Sequence, residues 1–232
     1  MNLPPLKNRL QSAIKYIRKG KILADVGTDH AYLPINSILL GISSSAVASD
    51  IVDGPIERAR LHIASYGLSE KIKAIKTDGL RDIDLHTPDD ITIFGMGGEL
   101  IVKIIDEAEW VKNPNIRLIL QPMTNAHILR AYLVENGFSI IDETLSKDDG
   151  RIYQTICAEF CGQTERMSNT ELLLGKCNIE GGSPLLFELI ENTRKKFNVR
   201  LCGKNTSGED VSYEKEILSE LEKLQANFKE TK

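Results

Sequence analysis

Short apolar runs that end in glycine or aspartate alternate with stretches of helical periodicity along the first half of the chain. Ile22–Val26 is such a run, closed by Gly27, and predicts a buried parallel strand. A helix is expected from Ala31 towards Leu40, stopped at Gly41. Ala46–Ser49 reads as a second strand ending at Asp50. Asp53-Gly54-Pro55 then opens a helix with proline in its first turn, and Gly67 closes it. Ile56, Ala59, Ile63 and Tyr66 recur at helical spacing along that stretch. Further strands are expected at Ile72–Lys76, Ile91–Phe94 and Ile116–Leu120. Helices are expected near Leu100–Val111 and from Asn125 to Glu135.

The alternation predicts an α/β fold, a mostly parallel Rossmann-like sheet with helices on both faces. Its rhythm changes after Gly137. Phe138–Leu145 and Ile152–Phe160 are both strand-like, and Lys147-Asp148-Asp149-Gly150 between them signals a hairpin. A parallel sheet finished by an antiparallel hairpin is thus expected over residues 1–163. Residues 164–232 read as a separate helical domain. There Ser183-Pro184 opens a helix carrying Leu186, Ile190 and Phe197, and Asn205–Asp210 is a polar break. A last helix carries Tyr213, Ile217, Leu221, Leu224 and Phe228, which together suggest an antiparallel helical hairpin.

Composition narrows the class without naming the chemistry. Among 232 residues, 41% are hydrophobic and 27% charged, as in an ordinary globular protein. No opening segment resembles a signal peptide, and no apolar run is long enough for a bilayer, so a cytoplasmic protein without a membrane partner is expected. Cys157, Cys161, Cys177 and Cys202 lack zinc-ligand spacing, and no metal site is expected. A net charge of −4 argues against nucleic acid as a general partner. Against this, Lys7, Arg9, Lys15, Arg18, Lys19 and Lys21 form an acid-free basic stretch that offers contacts to phosphate, or simply a solvated helix face.

In open parallel sheets ligands sit beyond the carboxyl ends of the strands, and the distinctive residues here fall at those ends. Asp25-Val26-Gly27-Thr28-Asp29-His30-Ala31 follows the first strand. Gly27 permits a tight turn and close approach of a ligand to the backbone. The second glycine of a dinucleotide motif is replaced by Asp29, which would repel a pyrophosphate but favour a cationic cofactor such as S-adenosylmethionine. Asp50, after the second strand, can accept hydrogen bonds from ribose hydroxyls. Asp78, followed by Gly79, can accept from an adenine amine. Each carboxylate could instead be a helix cap. Gly95-Met96-Gly97-Gly98 allows backbone approach with Met96 as an adaptable apolar wall, and Gln121-Pro122 offers an amide beside a rigid turn. His30 is a candidate base, whereas His62, His86 and His127 read as surface residues without partners.

ILADVGTDHAYLP (Ile22–Pro34), ASDIVDGP (Ala48–Pro55), TDGL (Thr77–Leu80), FGMGGELI (Phe94–Ile101) and LILQPM (Leu118–Met123) resemble the bacterial tRNA (adenine(22)-N1)-methyltransferases. The helical C-terminal portion is similar to that family's coiled-coil extension. The resemblance implies a class I methyltransferase core, S-adenosyl-L-methionine as cofactor, and methylation at N1 of an adenosine in tRNA. It implies that Gly27, Asp50, Asp78 and Gly79 line the cofactor pocket, joined by Thr28, Ile51 and Gly95. Asp29, His30, Tyr32, Met96, Gln121 and Pro122 would surround the target base, with His30 counted towards the cofactor as well. Met123-Thr124 departs from the family pattern, in which many members carry asparagine after the proline. A monomer is expected. The rival readings are a methyltransferase acting on another nucleic acid, a protein or a small molecule, a nicotinamide-dependent dehydrogenase, and a non-catalytic tRNA-binding protein.

Overall fold

The computed structural model describes residues 3–230, with side chains as far as Ala226. It divides into two compact units, Met1–Glu165 and Arg166–Lys232. In the first, α1 (Asn8–Ile14) precedes β1 (Ile22–Val26), α2 (Tyr32–Leu39), β2 (Ser45–Asp50), α3 (Asp53–Ser65) and β3 (Ile72–Lys76). Then come β4 (Asp90–Met96), α4 (Gly98–Asp106), β5 (Arg117–Pro122), α5 (Ala126–Glu135), β6 (Phe138–Asp148) and β7 (Arg151–Phe160). The sheet has seven strands in the order β3-β2-β1-β4-β5-β7-β6. The first five run parallel, and β7 is antiparallel to both β5 and β6. The α/β sheet with its terminal hairpin is therefore as the sequence predicts.

The pleat explains why apolar residues run on without interruption in the central strands. Leu118 and Leu120 point to one face, among Ile101, Ile105, Leu129 and Leu133 of α4 and α5. Ile119 points to the other, among Tyr16, Leu33, Ile35, Ala59 and Ile63. A strand buried on both sides needs both sets of side chains to be apolar. Cys157 lies in the second core, and burial pushes its thiol up to about 12, so it is inert there.

Some boundaries differ from expectation for local reasons. The predicted helix over Leu100–Val111 is α4 followed by a single 3-10 turn, because Ala108 leaves helical geometry at φ −121°, ψ 70°. In the hairpin the strands close around Asp149-Gly150 alone, both with positive φ (46° and 74°), as a tight two-residue turn requires. Most of the basic stretch at the start of the chain is spent within the molecule. Lys7 pairs with Asp149 (3.0 Å), Lys15 with Asp142 (3.1 Å), Arg18 with Asp90 (2.7 Å) and Lys21 with Asp89 (2.9 Å). These pairs lash α1 and its following turn to the sheet.

The second unit contains α6 (Asn169–Leu174), α7 (Lys176–Glu180), α8 (Leu186–Ser207) and α9 (Ser212–Glu230). Residues expected to form a break, Asn205 to Ser207, extend α8 instead, and the chain turns at Gly208 with φ 74°. Lys204 pairs with Glu214 near that turn, and Arg194 bonds Glu222 and Gln225 farther away, so α8 and α9 run antiparallel. Leu189, Ile190, Phe197, Ile217 and Leu221 are buried in this unit. The side chain of Phe228, placed on the same face by the sequence, lies outside the described residues. The short α6 was not foreseen, although Ser168 and Glu171 form a capping box at its start.

Arg130 on α5 and Glu143 on β6 are both fully buried, with Nε donating to the carboxylate at 2.7 Å and Nη2 donating to Gln154. Removing one partner of such a pair strands a charge, whereas removing both does not. Arg130→Met is expected to lower the unfolding free energy by about 3–5 kcal/mol. The double change Arg130→Met with Glu143→Leu should recover most of that loss in urea melts.

Candidate active site

The strand order reverses between β1 and β4, and a cavity of about 710 Å3 opens at their carboxyl ends. The helices that follow these two strands cover opposite faces, so the backbones part there and leave a crevice. Gly27 leaves β1 with φ +79°, and a β-carbon at this position would fall 2.3 Å from the Met96 methyl. Only glycine allows the turn and the close approach. The backbone N–H groups of Gly27 and Thr28 both donate to the Ser49 carbonyl at 2.8 Å, which ties the loop to β2. The N–H of Ala31 donates to the buried Thr28 hydroxyl at 3.2 Å, and Ala31 adopts a left-handed conformation (φ 51°) before α2 begins. Such a conformation costs a residue with a β-carbon about 1–3 kcal/mol, and these hydrogen bonds of the loop hold it in place.

Of the residues singled out from sequence, Gly27, Thr28, Asp29, His30, Tyr32 and Gly95 come together around this cavity. Met96 packs onto Gly27 from β4. Asp50 and Ile51 lie at the end of β2, where the Asp50 carboxylate accepts the Val52 N–H at 2.8 Å and Ile51 is exposed. Asp78 and Gly79 line a smaller cavity of about 220 Å3 beside Lys103, Ile104 and Trp110. Gln121 is 0% exposed, and its amide nitrogen donates to the Arg9 carbonyl (2.9 Å) and to Thr155 (3.2 Å). It therefore braces α1 at the cavity wall. Pro122 is buried at the end of β5, and the next N–H, that of Met123, donates to the Met96 carbonyl at 2.8 Å.

Asp29 stands on the outer rim, with its side chain 62% exposed. Arg58 Nε of α3 donates to it at 2.9 Å, and His30 Nε2 lies 3.4 Å from its other oxygen. Its charge is thus shared. The carboxylate deep in the cavity is Asp25, which sequence reasoning passed over. Burial pushes its pKa up, against hydrogen bonds from Thr28 and Thr92 and the charge of Arg9, which pull it down. The Thr92 hydroxyl donates to it at 2.8 Å. A buried carboxylate facing open space favours a cationic ligand, which would supply the missing counter-charge. The available signal was an acid inside the otherwise apolar strand ILADV.

Pro5, Leu6 and Leu10 also line the cavity without any signal in the sequence, and so do Lys7 and Arg9, which the sequence marks only as part of a basic stretch. The Arg9 guanidinium sits over Gly95, within 3.9 Å of where a β-carbon would be. Its backbone N–H donates to Asp148 at 2.9 Å, so the tip of the β6–β7 hairpin holds its backbone at the cavity wall. His62 is no isolated surface residue either. Its Nδ1–H donates to the His30 carbonyl at 2.7 Å, and its ring meets Tyr32 edge to face with centroids 5.1 Å apart. Among the described residues no group of acids, histidines and cysteines could hold a metal ion, and no helix is long and apolar enough to cross a membrane.

Residues 6–156 match the family model described as a methyltransferase domain. The chain is 39% identical over 159 residues to the tRNA (adenine(22)-N(1))-methyltransferase of Bacillus subtilis, covering 68% of this chain and 67% of that protein. Among solved structures, the B. subtilis m1A22 tRNA methyltransferase superposes with a TM-score of 0.81 at 30% identity, covering 99% of each chain. A candidate tRNA (m1A22) methyltransferase of Streptococcus pneumoniae, solved in complex with S-adenosyl-L-methionine, gives a TM-score of 0.84 at 29% identity. It covers 95% of this chain and 100% of that one. With the domain match over residues 6–156 and that degree of identity, the chain belongs to the tRNA (adenine(22)-N(1))-methyltransferase family.

Proposed function

We propose that this chain transfers the methyl group of S-adenosyl-L-methionine to N1 of adenosine 22 in tRNA, acting in the cytoplasm as a monomer without a metal ion. The observation that carries the proposal is the crevice between β1 and β4, with the buried Asp25 within it and the open backbone of Gly27 at its edge. These residues fit the cofactor, since a buried acid without a full counter-charge suits an ammonium or sulfonium group. Gly27 would let the ligand lie against the backbone, Asp25 would hold its amino group, and Asp50 would accept the ribose hydroxyls. Asp78 and Gly79 would border the adenine. Thr28, His30, Ile51 and Gly95 complete this set.

S-adenosylmethionine, when bound, supplies a methyl group activated by its sulfonium charge. Adenine N1 already carries a lone pair, so the protein has no proton to remove and positioning supplies most of the rate. The target base must leave its stack to reach the crevice. Tyr32 offers a ring face there, Met96 an apolar wall, and Pro122 with Gln121 a fixed β5 end. N1 methylation leaves the base cationic, and Asp29 supplies negative charge at the rim as it forms. Arg9, held over Gly95, restricts how the acceptor can enter.

The direct test is transfer of labelled methyl from S-adenosylmethionine to a tRNA transcript. Label should enter a transcript with adenosine at position 22 and be lost when guanosine replaces it. Label that persists in the guanosine transcript, or enters only protein, would sink the proposal. Gly27→Ala should weaken S-adenosylhomocysteine binding in calorimetry, because alanine is strained at φ +79° and its added carbon displaces the flexible end of Met96 at the mouth of the crevice. For Asp29→Ala, single-turnover transfer should slow about tenfold, less than the ~100-fold of a buried stabilising group, with cofactor affinity kept. An unchanged rate with weakened cofactor binding would reassign Asp29 to the cofactor.

A further inference from the structure

Outside the crevice, on the far side of His30 and Tyr32, lies a second and shallower hollow of about 330 Å3. His30, Tyr32, Arg58, Leu61, His62 and Ser65 line it. His30 and Tyr32 border both spaces, so a ligand in one lies next to a ligand in the other. The hollow is walled by rings. His30 and Tyr32 have centroids 5.2 Å apart, Tyr32 meets His62 edge to face at 5.1 Å, and His62 meets Tyr66 edge to face at 5.2 Å. The His62 ring is fixed by its hydrogen bond to the His30 carbonyl, which leaves Nε2 as its other polar atom.

Leu61 contributes an apolar side chain to the hollow and remains 71% exposed. Arg58 stands beside it, and two of its N–H groups are engaged by Asp29. A guanidinium has five such donors, so others remain on a side chain that is 48% exposed. Fixed aromatic rings, an exposed aliphatic residue and a guanidinium at one mouth are the chemistry by which single-stranded nucleic acid is gripped. Bases stack on the rings, and phosphate meets the cation. Position adds to this, because a base drawn into the crevice brings its chain neighbours to the rim.

We propose that this hollow is a subsite for the nucleotide adjoining the methylated adenosine, with its base against His62 and its phosphate on Arg58. The inference rests on the tRNA reading above. It assigns α3 a role in gripping the substrate, and it gives an acidic protein a local means of holding RNA. His62 is here a binding residue that never touches the reacting atoms.

The test uses the full chain with saturating S-adenosylmethionine and an unmodified tRNA transcript. His62→Ala is expected to raise KM for tRNA about tenfold, the scale of one lost stacking contact. Leu61→Glu, which sets a negative charge in the hollow from an exposed position, should do the same. His62→Phe keeps a ring and should restore KM to within about twofold. In all three, S-adenosylhomocysteine affinity should match the wild type, and the melting temperature should fall by no more than about 2–4 °C where the His62–His30 hydrogen bond is lost. Unchanged KM in both His62→Ala and Leu61→Glu, with an active wild type, would overturn this inference alone. A loss in His62→Ala that His62→Phe fails to rescue, with weakened cofactor binding, would also overturn it, since the ring would then only support the loop. No transfer to tRNA by the wild type would overturn the functional reading and this subsite with it.

Discussion

The site depends on the reversal of strand order between β1 and β4. Successive crossovers carry the chain from β1 outward to β2 and β3, then back across to β4 and β5. The backbones must separate at the reversal, and the separation opens only at the carboxyl ends. Everything placed around the cavity follows from that opening. Gly27 turns the chain there, Ser49 ties the turn to β2, and Met96 closes over it from β4. The antiparallel hairpin is distant in sequence, yet Asp148 at its tip accepts the Arg9 N–H, and the Gln121 amide donates to the Arg9 carbonyl. Arg9 is thereby fixed over the crevice by two parts of the fold distant from it in sequence.

Charge is arranged locally, and the net value of −4 misleads about partners. Most of the basic stretch near the N-terminus neutralises acids of its own domain, so it forms no general phosphate-binding face. Two carboxylates at the crevice are treated differently. Asp29 is exposed and shares its charge with Arg58, while Asp25 is buried and has hydroxyl partners. A buried acid whose pKa is raised stabilises the fold at low pH, and that contribution is lost as pH rises through the raised value. Near neutrality a cation in the crevice would offset the penalty. Ligand binding and the stability of the β1 end are therefore linked through Asp25.

Much of this was legible in the sequence because it is local. The strands announce themselves by apolar runs ending in Gly27, Asp50 and Gly95, and Asp149-Gly150 announces the hairpin. Gly27, Thr28, Asp29, His30, Tyr32 and Gly95 were recognisable from a single loop motif and a glycine cluster, and they do gather. What stayed hidden depends on contacts between distant segments. Arg9 reaches the cavity through residues 112 and 139 positions away. His62 joins His30 across 32 positions, and nothing in the sequence around α3 hints at that contact. Gln121 sits in a suggestive loop motif, yet the pleat of β5 turns its side chain inward to α1. Asp25 is the exception, a local signal overlooked because the apolar pattern around it was so regular.

The central claim is that the methyl donor lies in the crevice between β1 and β4 with its amino group on Asp25. A crystal structure of the chain with S-adenosylhomocysteine tests it most directly. The account predicts the ligand against the Gly27 backbone, its ammonium within hydrogen-bond distance of Asp25, and its ribose at Asp50. A ligand seated instead in the hollow beside Leu61 and His62, or one whose ammonium pairs with Asp29 while Asp25 stays unengaged, would contradict it.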